Sequence, residues 1–140
     1  MHIHLDRKKL LLITFFLCCI LPTCFVWFSV DAATMSWTGM ALMGTPLLIG
    51  VALYAFALLF QHFGRVLTLG ILAHLLLLGD RLNCFFNFVV LTNMSEHRDL
   101  AMSMGAVRPL YWVSLGLIVL HLALFTTTEI AVQRLKKTQS

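Results

Sequence analysis

The sequence predicts an all-α integral membrane protein, a bundle of four transmembrane helices with both termini on the inner side of the membrane. The first reason is composition: 60% of the 140 residues are hydrophobic and 11% are charged, whereas soluble domains average about 45–50% and about 25%. The apolar residues also form four long runs, and basic residues flank these runs unevenly. This composition excludes a disordered chain and argues against an ordinary soluble domain.

Each apolar run is close to the roughly 20 residues that a helix needs to cross a bilayer core. The predicted spans cover residues 10–30, 38–60, 66–91 and 110–127. Pro22 interrupts the first run, but neighbouring helices can absorb one proline within a span. The connections are too short to hold a soluble domain, so residues 1–140 are predicted to form a single polytopic membrane domain.

The first run also allows a second interpretation, a signal peptide. It follows basic residues, and Val30-Asp31-Ala32 resembles a small-residue cleavage site. A signal core is typically about 7–15 residues long, and this run is longer and rich in bulky aromatic residues. We therefore expect an uncleaved span; cleavage would leave three spans in the same orientation.

Basic and aromatic residues predict the orientation. If the N terminus lies inside, the outer segments carry only Arg98 and Arg108. The inner segments then carry Arg7, Lys8, Lys9, Arg65, Arg134, Lys136 and Lys137. The positive-inside rule favours this N-in, C-in arrangement. The residues that prefer the membrane interface also fall at the outer ends of the spans: Trp27, Trp37, Tyr111 and Trp112. The short loops favour a bacterial inner (plasma) membrane.

The longest connection, residues 92–109, is predicted to be an outer loop that holds a short interfacial helix. Ser95 is a suitable N-cap for such a helix, and Gly105 is a suitable end. Leu100 and Met104 would then share one face.

The third predicted span carries the most informative residues, because Asp80 and Arg81 lie near its middle. A charge at that depth costs about 2.5–3.5 kcal/mol on insertion scales, so both side chains are expected to face protein or water. Helical spacing places Asp80 with Asn83 and Asn87 on one face and Arg81 with His74 on another. Adjacent residues point apart on a helix, so Asp80 and Arg81 are not expected to pair.

The fourth predicted span offers a partner for these charges. His121 lies close to the expected depth of Asp80, and Ser114 belongs to the same polar stripe. The candidate intramembrane polar core therefore consists of Asp80, Arg81, His74, Asn83, Asn87, His121 and Ser114. Three interpretations remain open: the core fixes helix register, it relays protons or ions through a contact of Asp80 with His121, or residues 66–79 are re-entrant and the span boundary is misplaced.

Small residues predict a helix-packing face on the second span. Gly39, Pro46, Gly50 and Ala57 would let another helix approach closely. The four cysteines, Cys18, Cys19, Cys24 and Cys84, all fall in apolar runs and form no CxxC pair. No metal site is therefore predicted, and the cysteines are expected to be small buried residues in helix interfaces.

Residues 74–81, HLLLLGDR, resemble the helix that carries haem and quinone contacts in the membrane anchors of succinate dehydrogenase. The resemblance covers these residues only and is offset by one position, so no functional residue is carried over from it. From the residues themselves, His74 and His121 are the candidate pair of axial ligands if a haem is present. Otherwise no cofactor is expected.

These features predict a small multi-pass membrane protein that acts through helix–helix contact with a membrane partner or with further copies of itself. Its role would be that of an accessory subunit, a regulator or an immunity-type blocker. One alternative is an oligomeric transporter of protons, ions or small solutes that uses Asp80 and His121; another is a haem- or quinone-binding anchor subunit. The sequence has no nucleophile motif and no paired-carboxylate site, so an enzyme is not predicted. It also has no basic stripe, so a nucleic-acid partner is not predicted.

Overall fold

The computed structural model describes residues 6–30, 35–42, 44–60, 65–96 and 104–138. This part of the chain is mostly helical. Helix α1 (Arg7–Phe15) continues into a π-helical turn and a 3-10 turn, and we call residues 7–24 the first helical segment. The remaining elements, in chain order, are β1 (Val26–Val30), β2 (Met35–Thr38), α2 (Gly39–Leu42), α3 (Thr45–Leu59), α4 (Val66–Glu96) and α5 (Pro109–Thr138).

Among the described residues, two helices are long and apolar enough to cross a membrane. They are Val66–Val90, which is the greater part of α4, and Pro109–Leu135, which is the greater part of α5. At about 1.5 Å per residue, each exceeds the roughly 30 Å of a hydrocarbon core. Helix α3 is apolar but has only 15 residues. The expected four long helices are thus found in part. The third and fourth predicted spans are long apolar helices, whereas the first and second predicted spans are each divided into shorter elements.

The first predicted span, residues 10–30, is wrong beyond Cys24. Proline has no N–H to donate and its ring crowds the preceding turn. Around Pro22 the helix widens into the π turn (Phe16–Ile20), tightens into the 3-10 turn (Leu21–Cys24) and ends. The following residues turn back as β1, which pairs antiparallel with β2. An apolar run alone cannot distinguish such a strand from the end of a helix.

The second predicted span, residues 38–60, is also divided. Thr38 ends β2, and the helical part consists of the short α2 followed by α3. Pro46 lies in the first turn of α3, where its missing N–H has no helical partner to lose. Pro46 is exposed, so it does not belong to a packing face.

The other three small residues do lie at close contacts. Gly50 and Ala57 are buried on α3, and a Cβ at Gly50 would lie 2.9 Å from Leu77 Cδ2 of α4. Gly39 lies against the Trp27 indole at the start of α2. Glycine at these places allows the backbone to approach its neighbour more closely than any side chain would permit.

Helix α4 is longer than the predicted third span and takes five residues from the predicted outer loop. Ser95 lies inside this helix instead of capping a new one, because polar residues end an apolar run without ending a helix. The expected interfacial helix falls mostly on residues 97–103, including Leu100, which lie outside the described residues.

The chain that enters α5 packs against the hairpin. Ser29 N–H donates to Ala106 O at 2.9 Å, and Arg108 N–H donates to Trp27 O at 2.7 Å. A bridge between Phe28 and Val107 lies between these two bonds. The hairpin and the start of α5 therefore form one cap over the end of the helices.

The helices pack around a mainly apolar core. Helix α3 packs along α4, α4 packs along α5, and the first helical segment contacts α5. Arg7 Nη1 lies 3.2 Å from Glu129 Oε1, which joins the start of α1 to the last part of α5. Trp27 and Tyr111 belong to this core and are fully buried, so their rings do not face lipid headgroups as expected.

Candidate functional site

The break in the first helical segment frees backbone carbonyls that side chains then bind. Arg81 Nη2 donates to Cys19 O at 2.5 Å. Thr23 Oγ1 donates to Ile20 O at 2.6 Å, and Trp27 Nε1 donates to Pro22 O at 2.9 Å. Pro22 thus explains the position of Arg81, because a regular helix would have offered the Cys19 carbonyl to its own backbone.

Arg81 is completely buried and is held without an ion pair among the described residues. Its guanidinium carbon lies 5.4 Å from the centre of the Trp27 ring, a distance at which a cation is attracted to the ring face. Tyr111 Oη donates to the Arg81 carbonyl at 3.1 Å. Nε and Nη1 of Arg81 have no hydrogen-bond partner in the part of the chain that the structure describes. One carbonyl and one indole face therefore hold this charge.

The two buried histidines contact one another. His74 Nε2 lies 2.8 Å from His121 Nδ1, and the rings are nearly parallel at a centroid distance of 5.1 Å. The outer nitrogens are also bonded: His74 Nδ1 to Gly70 O at 2.6 Å, and His121 Nε2 to Thr14 Oγ1 at 3.1 Å. A chain of hydrogen bonds thus connects α4, α5 and the first helical segment.

The chemistry of the partners assigns the protons in this chain. The Gly70 carbonyl can only accept, so Nδ1 of His74 must carry a proton. In a neutral His74, Nε2 then accepts from the Nδ1–H of His121. His121 Nε2 is left to accept from the Thr14 hydroxyl. Every ring nitrogen is satisfied with both imidazoles neutral, which suits an apolar interior.

Aromatic rings enclose the histidine pair. Tyr54 lies edge-on to His74 with a centroid distance of 5.3 Å, and Phe15 lies edge-on to His121 at 5.5 Å. Phe125 stacks on His74 at 5.6 Å. Because the rings touch, a haem between His74 and His121 would require α4 and α5 to part.

Cys19 completes the cluster. Its Sγ and one nitrogen of each histidine all lie within 4.8 Å of one another, and all three residues are buried. Cys19 belongs to the π-helical turn that precedes Pro22. Such turns are often found at functional sites because they redirect a side chain without ending a helix.

The candidate core predicted from the sequence is therefore brought together only in part. His74, His121 and Arg81 are buried where α4, α5 and the first helical segment meet. The expected contact of Asp80 with His121 is wrong, because Asp80 lies six residues along α4 from the histidine that occupies His121. This separation is about 9 Å along the helix axis.

The remaining predicted core residues have other positions. Ser114 is buried but donates to Tyr111 O on its own helix at 2.6 Å. Asn83 and Asn87 are exposed on the side of α4 that is turned away from the other helices, which we call the outer face of α4. They therefore do not line an interior path. Asp80, only 7% exposed, lies at the edge of that face, and its Oδ2 has no hydrogen-bond partner among the described residues.

Sequence reasoning missed Thr14, Cys19, Tyr54 and Trp27 as members of the site. Thr14 and Tyr54 carry no sequence signal, since polar atoms are ordinary in such helices. For Cys19 a signal existed, because Pro22 lies three residues further on and disturbs the helix at that point. Trp27 was expected at an interface, which hid its contact with Arg81.

No protein-family model matches the chain, and no significant match was found to a curated protein or to a solved structure.

Proposed function

We propose that the chain is an integral membrane protein that crosses an inner (plasma) membrane four times, with both termini inside, and binds another membrane helix through the outer face of α4. The two long apolar helices support the membrane setting. The basic residues at the starts and ends of the apolar runs support the orientation. The first helical segment and α3 are short for a membrane span. We propose that they cross the bilayer because the first packs tightly on α5 and the second packs tightly on α4.

The observation that carries the proposed contact is a polar stripe on an exposed apolar helix face. Asp80, Asn83 and Asn87 follow one another at spacings of three and four residues on α4, so they share one side. Within the described residues, the side-chain amides of the two asparagines make no hydrogen bond, and both side chains are exposed. In lipid such groups lack partners, and hydrogen bonds between helices are the usual way in which they are satisfied.

The threonine hydroxyls of α5 do not make the same demand as the asparagine side chains. Thr126 and Thr127 are on α5, and their hydroxyls donate to the carbonyls of Leu122 and Ala123 at 2.8 Å. Threonine can satisfy itself in this way because its hydroxyl reaches the preceding turn. The stripe on α4 differs because its amides have no such bond.

The surroundings of the stripe also suit a helix as the partner. A Cβ added at Gly79 would meet no atom within 4 Å in the described part of the chain, so a neighbouring backbone can approach there. Leu82 and Phe86 are exposed beside the asparagines and offer apolar contact. A glycine, two amides and flanking apolar side chains are typical of helix interfaces in membranes.

Site-specific photo-crosslinking in native membranes tests the contact. A photoreactive residue replaces Phe86 (61% exposed) beside the stripe or, as a control, Val113 (50% exposed) on α5. We expect a discrete adduct from position 86 only. Its yield should fall about tenfold in Asn83→Leu/Asn87→Leu, which corresponds to about 1.4 kcal/mol of lost hydrogen bonding. Thr127→Ala should leave the yield unchanged.

The size of the adduct distinguishes the possible partners. An adduct of twice the 15.8 kDa of the chain indicates a second copy of it, and any other size indicates a different membrane protein. Equal yields from positions 86 and 113, or an unchanged yield in the double asparagine variant, would refute the proposed contact.

A further inference from the structure

We propose that Cys19, His74 and His121 form a binding site for a monovalent copper ion. The site lies inside the bundle, where the first helical segment, α4 and α5 meet. It is separate from the outer face of α4 and does not depend on a partner binding there.

The donor atoms are of the kind and number that copper(I) takes. A thiolate and two imidazoles are soft to intermediate ligands, which favour copper and zinc over magnesium or calcium. Around an ion held by three ligands at about 2.0–2.3 Å, neighbouring ligand atoms lie about 3.5–3.7 Å apart. Cys19 Sγ and one nitrogen of each histidine lie within 4.8 Å of one another, and His74 Nε2 is 2.8 Å from His121 Nδ1. Movements of about one ångström or less, within the reach of side-chain torsions, are enough to surround an ion.

The outer nitrogen of His74 is already held in the way that a metal ligand requires, and the outer nitrogen of His121 faces a group that can accept a proton from it. A ligating histidine almost always donates its other N–H to a carbonyl, carboxylate or hydroxyl, which fixes the ring. His74 Nδ1 donates to Gly70 O, so its Nε2 is available to the ion. His121 Nε2 faces Thr14 Oγ1, whose own proton can go to Leu10 O at 2.9 Å.

Proton balance follows from these contacts. In the ion-free pair, His121 carries its proton on Nδ1, where it bonds His74. When copper binds, that proton takes up the Nε2 position and donates to the Thr14 hydroxyl, which leaves Nδ1 as a ligand. The Cys19 thiol loses its proton to solvent as the copper–sulfur bond forms. One proton is released for each ion, and the oxidation state of copper does not change.

Charge and space favour copper(I) over a divalent ion. A thiolate with Cu⁺ is neutral overall, whereas Zn²⁺ would leave a net positive charge inside an apolar core. The buried guanidinium of Arg81, bonded to the carbonyl of Cys19 itself, makes a further positive charge costly. Zinc also needs a fourth ligand, but Phe15 and Phe125 offer none, and the Tyr54 hydroxyl is directed to Leu11 O at 3.4 Å.

Copper(I) titration of the purified protein tests the site directly. The protein is held in detergent micelles without oxygen and competes for Cu⁺ with a coloured copper(I) chelator. We expect one equivalent to bind, with an affinity at least about 100-fold lower in Cys19→Ser. Cys18→Ser, the neighbouring cysteine, and Cys24→Ser, an exposed one, should bind as the original chain does. X-ray absorption of the copper-loaded protein should show one sulfur and two imidazole nitrogens.

The spectrum of the unmodified chain keeps the proposal testable even if Cys19→Ser fails to fold. A copper environment without imidazole scattering would overturn the proposal. It is also overturned by unchanged affinity in a folded Cys19→Ser, by equal losses in Cys18→Ser and Cys19→Ser, or by a site that takes Zn²⁺ and not Cu⁺. None of these results alters the cross-link expected at position 86, so the two proposals fail separately.

Discussion

Replacing Gly70 by alanine should weaken the bundle, because Gly70 lies where α4 meets the ring of Phe125. A Cβ at Gly70 would overlap that ring, and overpacking of this kind costs about 1–3 kcal/mol. Alanine also favours a helix over glycine by about 1 kcal/mol, which partly hides the cost. Gly116→Ala on α5 is the matched control, because no atom described by the structure lies within 4 Å of its added Cβ.

The difference between the two variants isolates the packing cost, because both gain the same helix propensity. We expect Gly70→Ala to be about 1–3 kcal/mol less stable than Gly116→Ala, as measured by unfolding in mixed micelles with increasing SDS and followed by circular dichroism. Adding Phe125→Leu to Gly70→Ala should recover part of the loss, giving a coupling energy between the two sites. If both glycine variants unfold at the same SDS fraction, the close approach of α4 to Phe125 is refuted.

Substitutions at three further contacts are tested by the same unfolding measurement. Trp27→Phe should lower the free energy of unfolding by about 1–3 kcal/mol, because the buried Pro22 carbonyl loses its donor. An unchanged free energy of unfolding would show that the indole does not bind this carbonyl. Arg7→Met should cost more than Glu129→Gln, by about 1–3 kcal/mol, because it leaves a buried carboxylate without its cation. The double variant should be more stable than Arg7→Met alone, and single losses that simply add in the double variant would contradict the pairing. Tyr54→Phe should cost under about 0.5 kcal/mol, because the hydroxyl makes one long bond of 3.4 Å; a larger loss would show that the hydroxyl has a further role.

The starts of the two long helices could be predicted from the apolar runs, but their ends could not. The third span was expected to end at residue 91 and the fourth at residue 127, whereas α4 reaches Glu96 and α5 reaches Thr138. The length of the membrane-spanning part of a helix is limited by where polar residues begin. Helix length is not, since Glu, Arg and Lys continue a helix readily.

The hairpin was hidden because residues 25–30 continue the apolar run of the first helix. Hydropathy cannot separate a buried strand from a helix in so short a stretch. The signal that was present is Pro22, whose effect on the turn before it and the turn after it decides where the helix ends. Its consequences extend to Arg81 and Trp27, which donate hydrogen bonds to the carbonyls that the break exposes.

The buried residues of the site could be predicted singly, but the sequence did not decide which of them pair. Arg81, His74 and His121 were expected in the interior because polar side chains are costly in lipid. Their pairing depends on how far α4 is shifted along α5, and apolar runs do not encode that shift. The sequence offered both Asp80 and His74 as partners of His121, and the register of α4 on α5 pairs His121 with His74.

Terminal reporter fusions combined with carbonate extraction test the membrane fold most directly. A reporter active only in the cytoplasm and one active only outside are fused in turn to each end of the chain, and membranes are then washed at high pH. Four crossings with both ends inside predict that the cytoplasmic reporter works at both termini and that the protein stays in the pellet. Termini in opposite compartments, or protein in the supernatant, would contradict the proposed fold.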